Sequence, residues 1–150
     1  MLDASAGAGW LAVLQGEQVL ARRDWPALRD ATARLPLLAA DTLAEARVPP
    51  AALDLIAVVA GPGSFTGLRA SLAFAHGLAL AVGVALVAVA ADEARGETQD
   101  GAHAATPRSV LQAALRRRAG LLPPLAPLPI YAGPPQARAA PLRPAPATSR

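Results

Sequence analysis

A seven-residue bend, Gly61-Pro62-Gly63-Ser64-Phe65-Thr66-Gly67, holds the residues best placed to do chemistry. It joins an apolar run to a helical one, so free N–H groups and a favourable dipole at a helix start would face an anion. Nucleotide binding is therefore the first chemistry to weigh. The Walker pattern is absent, because Leu68-Arg69 follows Gly67 where a Lys-Ser or Lys-Thr pair is needed. The last interval between Gly61, Gly63 and Gly67 also departs from the dinucleotide fingerprint. Ser64 lies outside any G-x-S-x-G elbow and lacks credible His and acid partners. His76 and His103 are the only histidines, and neither has an acidic neighbour at metal-ligand spacing. Without cysteine there is no disulfide framework and no thiolate ligand or nucleophile. Two readings stay open: a structural turn, which the bare chemistry favours, and a phosphate contact made by the bend with Arg69.

The flanking elements must position this bend. Leu55 to Ala60 is a compact, β-branched apolar run, as in a strand buried on both faces. A helix from about Leu68 to Val82 follows and stops at Gly83. Val84 to Val89 is a second buried strand, which completes a βαβ unit. Upstream, Trp10–Leu14 and Gln18–Arg22 read as a β-hairpin across Gln15-Gly16-Glu17. Met1-Leu2-Asp3 is too short for a strand unaided. From Trp25 to Arg47, apolar residues at three- and four-residue spacings predict a helix or helix pair, with Pro36 kinking it or marking a start. The segment 92–106 is polar and glycine-containing, which predicts a loop, and 107–119 predicts a last helix with Pro107 in its first turn. Proline dominates beyond Gly120, so 134–150 is expected to be extended or disordered.

The helix behind the bend is apolar nearly all round, interrupted only by Arg69, Ser71 and His76. One face can cover a sheet, and the rest must find cover elsewhere. In a domain this small, that surface points to a partner, with burial by the first and last helices as the intramolecular alternative. The run 70–91 is long enough to span a bilayer, but its alanines drive insertion weakly and Gly77 and Gly83 divide it. No membrane segment is expected. Met1-Leu2-Asp3 also lacks the basic start of a signal peptide, so a cytoplasmic protein is expected.

Bulk numbers exclude little more. The 150 residues are 53% hydrophobic and 17% charged, with a net charge of +3 carried entirely by arginine. Pervasive Ala, Arg and Pro point to a G+C-rich genome before they point to nucleic acid. Arg116, Arg117 and Arg118 form one basic cluster, read as a solvated helix end.

At greater length, Val59-Ala60-Gly61-Pro62-Gly63-Ser64-Phe65-Thr66-Gly67-Leu68-Arg69, followed by His76-Gly77-Leu78-Ala79, closely resembles the signature of the TsaB family. Members are accessory subunits for threonylcarbamoyladenosine formation in bacterial tRNA, within the Gcp-like (glycoprotease M22-like) superfamily. Leu2-Asp3-Ala4-Ser5, Leu35-Pro36-Leu37-Leu38 and Pro129-Ile130-Tyr131 resemble further family segments. The resemblance implies an α/β, actin-like and ribonuclease-H-like domain with a mixed sheet, an N-terminal hairpin plus the βαβ unit. It implies a Gcp-like domain over 1–91, a loop at 92–106 replacing most of a second domain, a helix and Pro-Ile-Tyr segment at 107–133, and a tail at 134–150. The departures are a shortened first strand, Ala132-Gly133 in place of Leu-Arg, and only about forty residues between Val89 and Pro129. A divergent copy without tRNA-modification activity is the alternative to a working, reduced subunit.

By the same resemblance, the first two helices dock on a TsaD-like catalytic subunit, with a TsaE-like ATPase as a further partner. The expected interface is Leu72, Ala73, His76, Gly77 and Leu80, with Leu35 and Leu38 from the first helix. Phe65 is expected to anchor the bend in the core and Arg69 to make a polar contact at the helix start. No cofactor or metal is expected in this chain, ATP and metal belonging to the partner. Contact with tRNA would be indirect, and a homodimer is the expected arrangement if the partner is absent.

Overall fold

The sheet is built around a short central strand. The computed structural model describes residues 1–6, 8–26, 32–97 and 103–131. In chain order the elements are β1 (Leu2–Ala6), β2 (Ala8–Gln15), β3 (Gln18–Trp25), α1 (Leu35–Ala46), β4 (Leu55–Gly61), α2 (Phe65–Val82), β5 (Ala85–Ala90), β6 (Arg95–Glu97), β7 (His103–Ala105) and α3 (Pro107–Arg118). Five strands form one sheet in the order β3-β2-β1-β4-β5. β1, β2 and β3 run antiparallel in sequence, while β1, β4 and β5 are parallel. Gln15 pairs with Gln18 to close the expected hairpin over Gly16-Glu17.

Side chains alternate across each strand, and the two faces of the sheet have separate cores. Ile56, Val58 and Ala60 of β4 meet Leu2, Leu35, Ala39, Leu72, Ala75 and Ala79 under α1 and α2. Ala57 and Val59 meet Trp10, Val87, Val89, Val110 and Ala114 under α3. Burial on both faces is why β4 reads as an unbroken apolar run.

The helix ends follow local chemistry. Leu35 opens α1 with proline in its first turn, as Pro36 implied. The Ser64 side chain accepts from the Gly67 N–H at the start of α2, and Gly83 ends that helix in the left-handed region at φ 72°. Thr106 and Ser109 cap α3 reciprocally.

Leu2-Asp3-Ala4-Ser5 lies in β1, the shortened first strand that the resemblance implied, with β2 and β4 pairing on either side. Two expectations need correction. Trp25 ends β3 instead of starting a helix, since it pairs with Gly9 and is buried in the core under α1 and α2. The 92–106 segment carries an antiparallel ribbon, Arg95 to Glu97 against His103 to Ala105. The Trp10 indole N–H donates to the Ala105 carbonyl at 3.1 Å and ties that ribbon to the domain. The tail at 134–150, and the part of the first helical pattern at 27–31, lie outside the described residues.

Candidate functional site

The glycine bend is packed on its own chain. Ser64 N–H donates to the Ser5 carbonyl at 2.6 Å, and Leu68 N–H donates to the Ser64 carbonyl at 2.9 Å. A β-carbon at Gly63 would collide with the Ser5 carbonyl, and one at Gly67 with the Ala4 carbonyl. These glycines let the bend lie directly on the β1 backbone. The other side is closed by the C-terminal segment. Ile130 N–H donates to the Ala60 carbonyl at 2.7 Å, and Gly63 forms a parallel bridge with Tyr131. Ala91 N–H donates to the Gly61 carbonyl at 2.7 Å. Neighbouring backbone therefore engages the Ser64 N–H that an anion would need, and this packing fits the structural-turn reading.

Phe65 does not anchor the bend in the core. It is 43% exposed and stacks on Tyr131, with ring centroids 5.0 Å apart and planes inclined at 29°. The Arg69 guanidinium lies 5.1 Å from the Phe65 centroid, so its contact is with a ring face. Pro62 and Thr66 are exposed beside this stack. Its two rings come from residues far apart in sequence, which is why local patterns missed it.

α2 has two distinct sides. Gly67, Leu68, Ser71, Leu72, Ala75 and Ala79 are buried. Arg69, Ala73, His76, Gly77, Leu80 and Ala81 are exposed, Leu80 at 86%. Leu72 and Leu35, expected at an interface, are instead 3% and 1% exposed in this domain's own core. Leu38 is half-buried against that core. On α1 the exposed large residue is Leu37, at 57%, which periodicity did not single out. His76 Nε2 lies 2.9 Å from the Pro127 carbonyl, so a strap of the C-terminal segment crosses the edge of this face.

The arginine cluster also divides. Arg116 and Arg118 are exposed. Arg117 instead turns inward to pair with Glu93 at 2.6 Å, and it donates to the Ala88 and Pro123 carbonyls at 2.7 and 2.8 Å. Glu93 in turn accepts from the Ala90 N–H at 2.9 Å. Among the described residues, no three His, Asp or Glu side chains come together in a metal-binding group.

A mixed five-stranded sheet with α1 and α2 on one face and α3 on the other is the core of an actin-like, ribonuclease-H-like α/β domain. The family model for TsaD, tRNA N6-adenosine threonylcarbamoyltransferase, matches residues 26–116. Two solved structures are similar at 36% identity and a TM-score of 0.56, each over 60% of this chain. One is YeaZ from Pseudomonas aeruginosa, matched over 42% of its length. The other is described as an uncharacterized protein with similarity to peptidase YEAZ from Pseudomonas aeruginosa, matched over 41%. The chain belongs to this TsaD/Gcp-like family, on its TsaB (YeaZ) side. It spans about two fifths of the length of those solved relatives, and no curated protein matches it.

Proposed function

We propose that this chain is a non-catalytic accessory subunit that binds and activates the catalytic subunit of tRNA N6-threonylcarbamoyladenosine synthesis. The observation that carries this reading is the outer side of α2. Only 33% of that helix is buried, yet its free side presents Ala73, Gly77, Leu80 and Ala81 around one histidine, with Leu37 exposed on α1. Small residues let a second helix approach closely, and a stripe of that kind gains by being covered. The same helix is long and apolar enough to cross a membrane by length and composition alone. Its buried side, however, packs on β1 and β4 as a core helix would.

In this reading α1 and α2 hold the TsaD-like partner in an active arrangement in the cytoplasm. ATP and metal bind on the partner, a TsaE-like ATPase joins the same assembly, and tRNA is reached only indirectly. The matching family is that of a transferase, and the chemistry belongs to the partner in this reading because β1 and the C-terminal segment engage the bend's backbone.

Co-purification with the catalytic subunit tests the proposal. Gly77→Arg should abolish it while circular dichroism stays native, because nothing lies within 4 Å of a β-carbon at Gly77. Retained co-purification would remove this face from the interface. A self-associated species seen by light scattering only without the partner would mark the same face as a homodimer contact. Complementation of a strain depleted of its accessory subunit, with tRNA nucleosides as the readout, separates a working subunit from a divergent copy.

A further inference from the structure

Beside the glycine bend, Pro62, Ala91, Arg95 of β6 and Ala105 of β7 help enclose a groove of about 770 Å³. A row of residues from three strands lines its inner wall. Asp3 of β1 stands opposite Trp10 of β2, and Trp10 opposite Asp24 of β3, so the three side chains share one face of the sheet. Trp10 packs in the core under α3, which makes this the α3 face. The two carboxylates of the row differ. Asp24 is exposed and already paired: the Arg22 Nε donates to its Oδ2 at 2.9 Å, with the guanidinium 5.5 Å from the Trp10 centroid. Asp3 is 9% exposed. Its Oδ1 accepts from the Ser5 N–H at 2.8 Å, and no arginine among the described residues pairs with it. A buried carboxylate without a cation is costly, and this one borders an open groove.

We propose that the groove binds a primary ammonium group on a short apolar stem, with Asp3 as its counter-ion. Such a head carries three N–H donors. The Asp3 carboxylate takes one in a charge-assisted bond, and the Ser5 hydroxyl, which also lines the groove, takes a second. Water at the mouth takes the third. The stem lies against Ala8, Pro62, Ala91 and Ala105, which make these walls apolar. A hard divalent cation would need about six oxygen ligands, and no three acidic or histidine side chains gather among the described residues. A second copy of this chain cannot supply the head, because the sequence has no lysine. Arg22 and Arg95 are exposed beside the groove and repel a second positive charge, which selects a monocation over a diamine. The site stands apart from the outer side of α2 and does not depend on what docks there.

Calorimetric titration of the chain with n-butylammonium, n-butanol and putrescine tests the proposal. n-Butylammonium should bind saturably, at least about tenfold more tightly than either of the others, and should shift the Trp10 indole N–H resonance. Asp3→Asn keeps an acceptor for the Ser5 N–H but removes the charge, so it should weaken n-butylammonium at least about tenfold. Ala8→Leu narrows the groove from an exposed wall position and should also weaken binding with Asp3 intact. That variant decides the matter if Asp3→Asn fails to fold. A capped Gly-Lys-Gly peptide that binds more tightly than the free amine would support the site and identify the head as a partner protein's lysine. Equal affinity for amine and alcohol, or no saturable binding, would overturn the proposal. So would unchanged affinity in either folded variant, or displacement of the amine by equimolar magnesium chloride.

Discussion

The Tyr131 ring lies against the Phe65 ring at 5.0 Å, joining the last described residue to the first residue of α2. Both rings are more than a third exposed, so the pair fastens the C-terminal segment over the bend from outside the core. A double-mutant cycle with Phe65→Ala and Tyr131→Ala should return a coupling of about 0.5–1.5 kcal/mol in urea denaturation. Additive effects of the two changes would show that the rings act separately.

Two glycines of α2 should respond in opposite ways to the same substitution. Gly67→Ala forces a β-carbon into the Ala4 carbonyl and should destabilise the domain by about 1–3 kcal/mol. Gly77→Ala meets open space and should stabilise the helix by about 0.5–1 kcal/mol. Chemical denaturation of the pair decides the matter, and equal effects would contradict the close approach of the bend to β1.

Two leucines on the same helix separate core from surface. Leu72→Ala should lose about 2–5 kcal/mol, since Leu72 is 3% exposed. Leu80→Ala should stay within about 0.5 kcal/mol of the parent, since Leu80 is 86% exposed. Pull-down with the catalytic subunit should then weaken for Leu80→Ala despite its native stability.

The inward arginine is a further test. Arg117 and Glu93 have side chains 9% and 23% exposed, so removing one partner leaves the other poorly solvated. Arg117→Ala should destabilise by about 3–5 kcal/mol, with Arg116→Ala nearly neutral by the same denaturation assay. Equally small losses for the two would place both side chains in water.

Stability of the chain beginning at Met1 should depend on pH through its ammonium. Burial holds that group near 5 in the folded state, against 8.0 ordinarily. Between these values the unfolded chain binds more protons, so stability rises from pH 5 to pH 8 and levels off above. The span is on the order of 4 kcal/mol. Acetylating the nitrogen removes the charge and should flatten thermal midpoints over that range.

Much of this fold is legible locally. Gly83, Pro36 and Pro107 mark helix ends by chemistry confined to a turn, whereas α2 starts at Phe65, three residues before the expected Leu68, under the Ser64 cap; the two-sided burial of β4 shows in its unbroken apolar run. The outward side of α2 was harder. On a helix apolar nearly all round, spacing cannot rank one face above another, so Leu72 and Leu80 read alike although one is core and the other surface. Leu35 on α1 was placed at the interface by the resemblance, although it packs in the domain's own core. The Phe65–Tyr131 stack, the Arg117–Glu93 pair and the β6–β7 ribbon depend on partners brought together by topology, and no short window contains both halves. The strength of Met1-Leu2-Asp3 as a strand likewise comes from its neighbours on either side.

The hydrogen bond from Ile130 to Ala60 also sets a timetable for synthesis. A ribosome making this chain releases β4 and the start of α2 well before residue 130 emerges. During that interval the Ala60 carbonyl at the end of β4 lacks the Ile130 N–H, and the Phe65 ring lacks its Tyr131 cover. Nascent chains halted short of residue 130 therefore keep both groups open to solvent or to a chaperone.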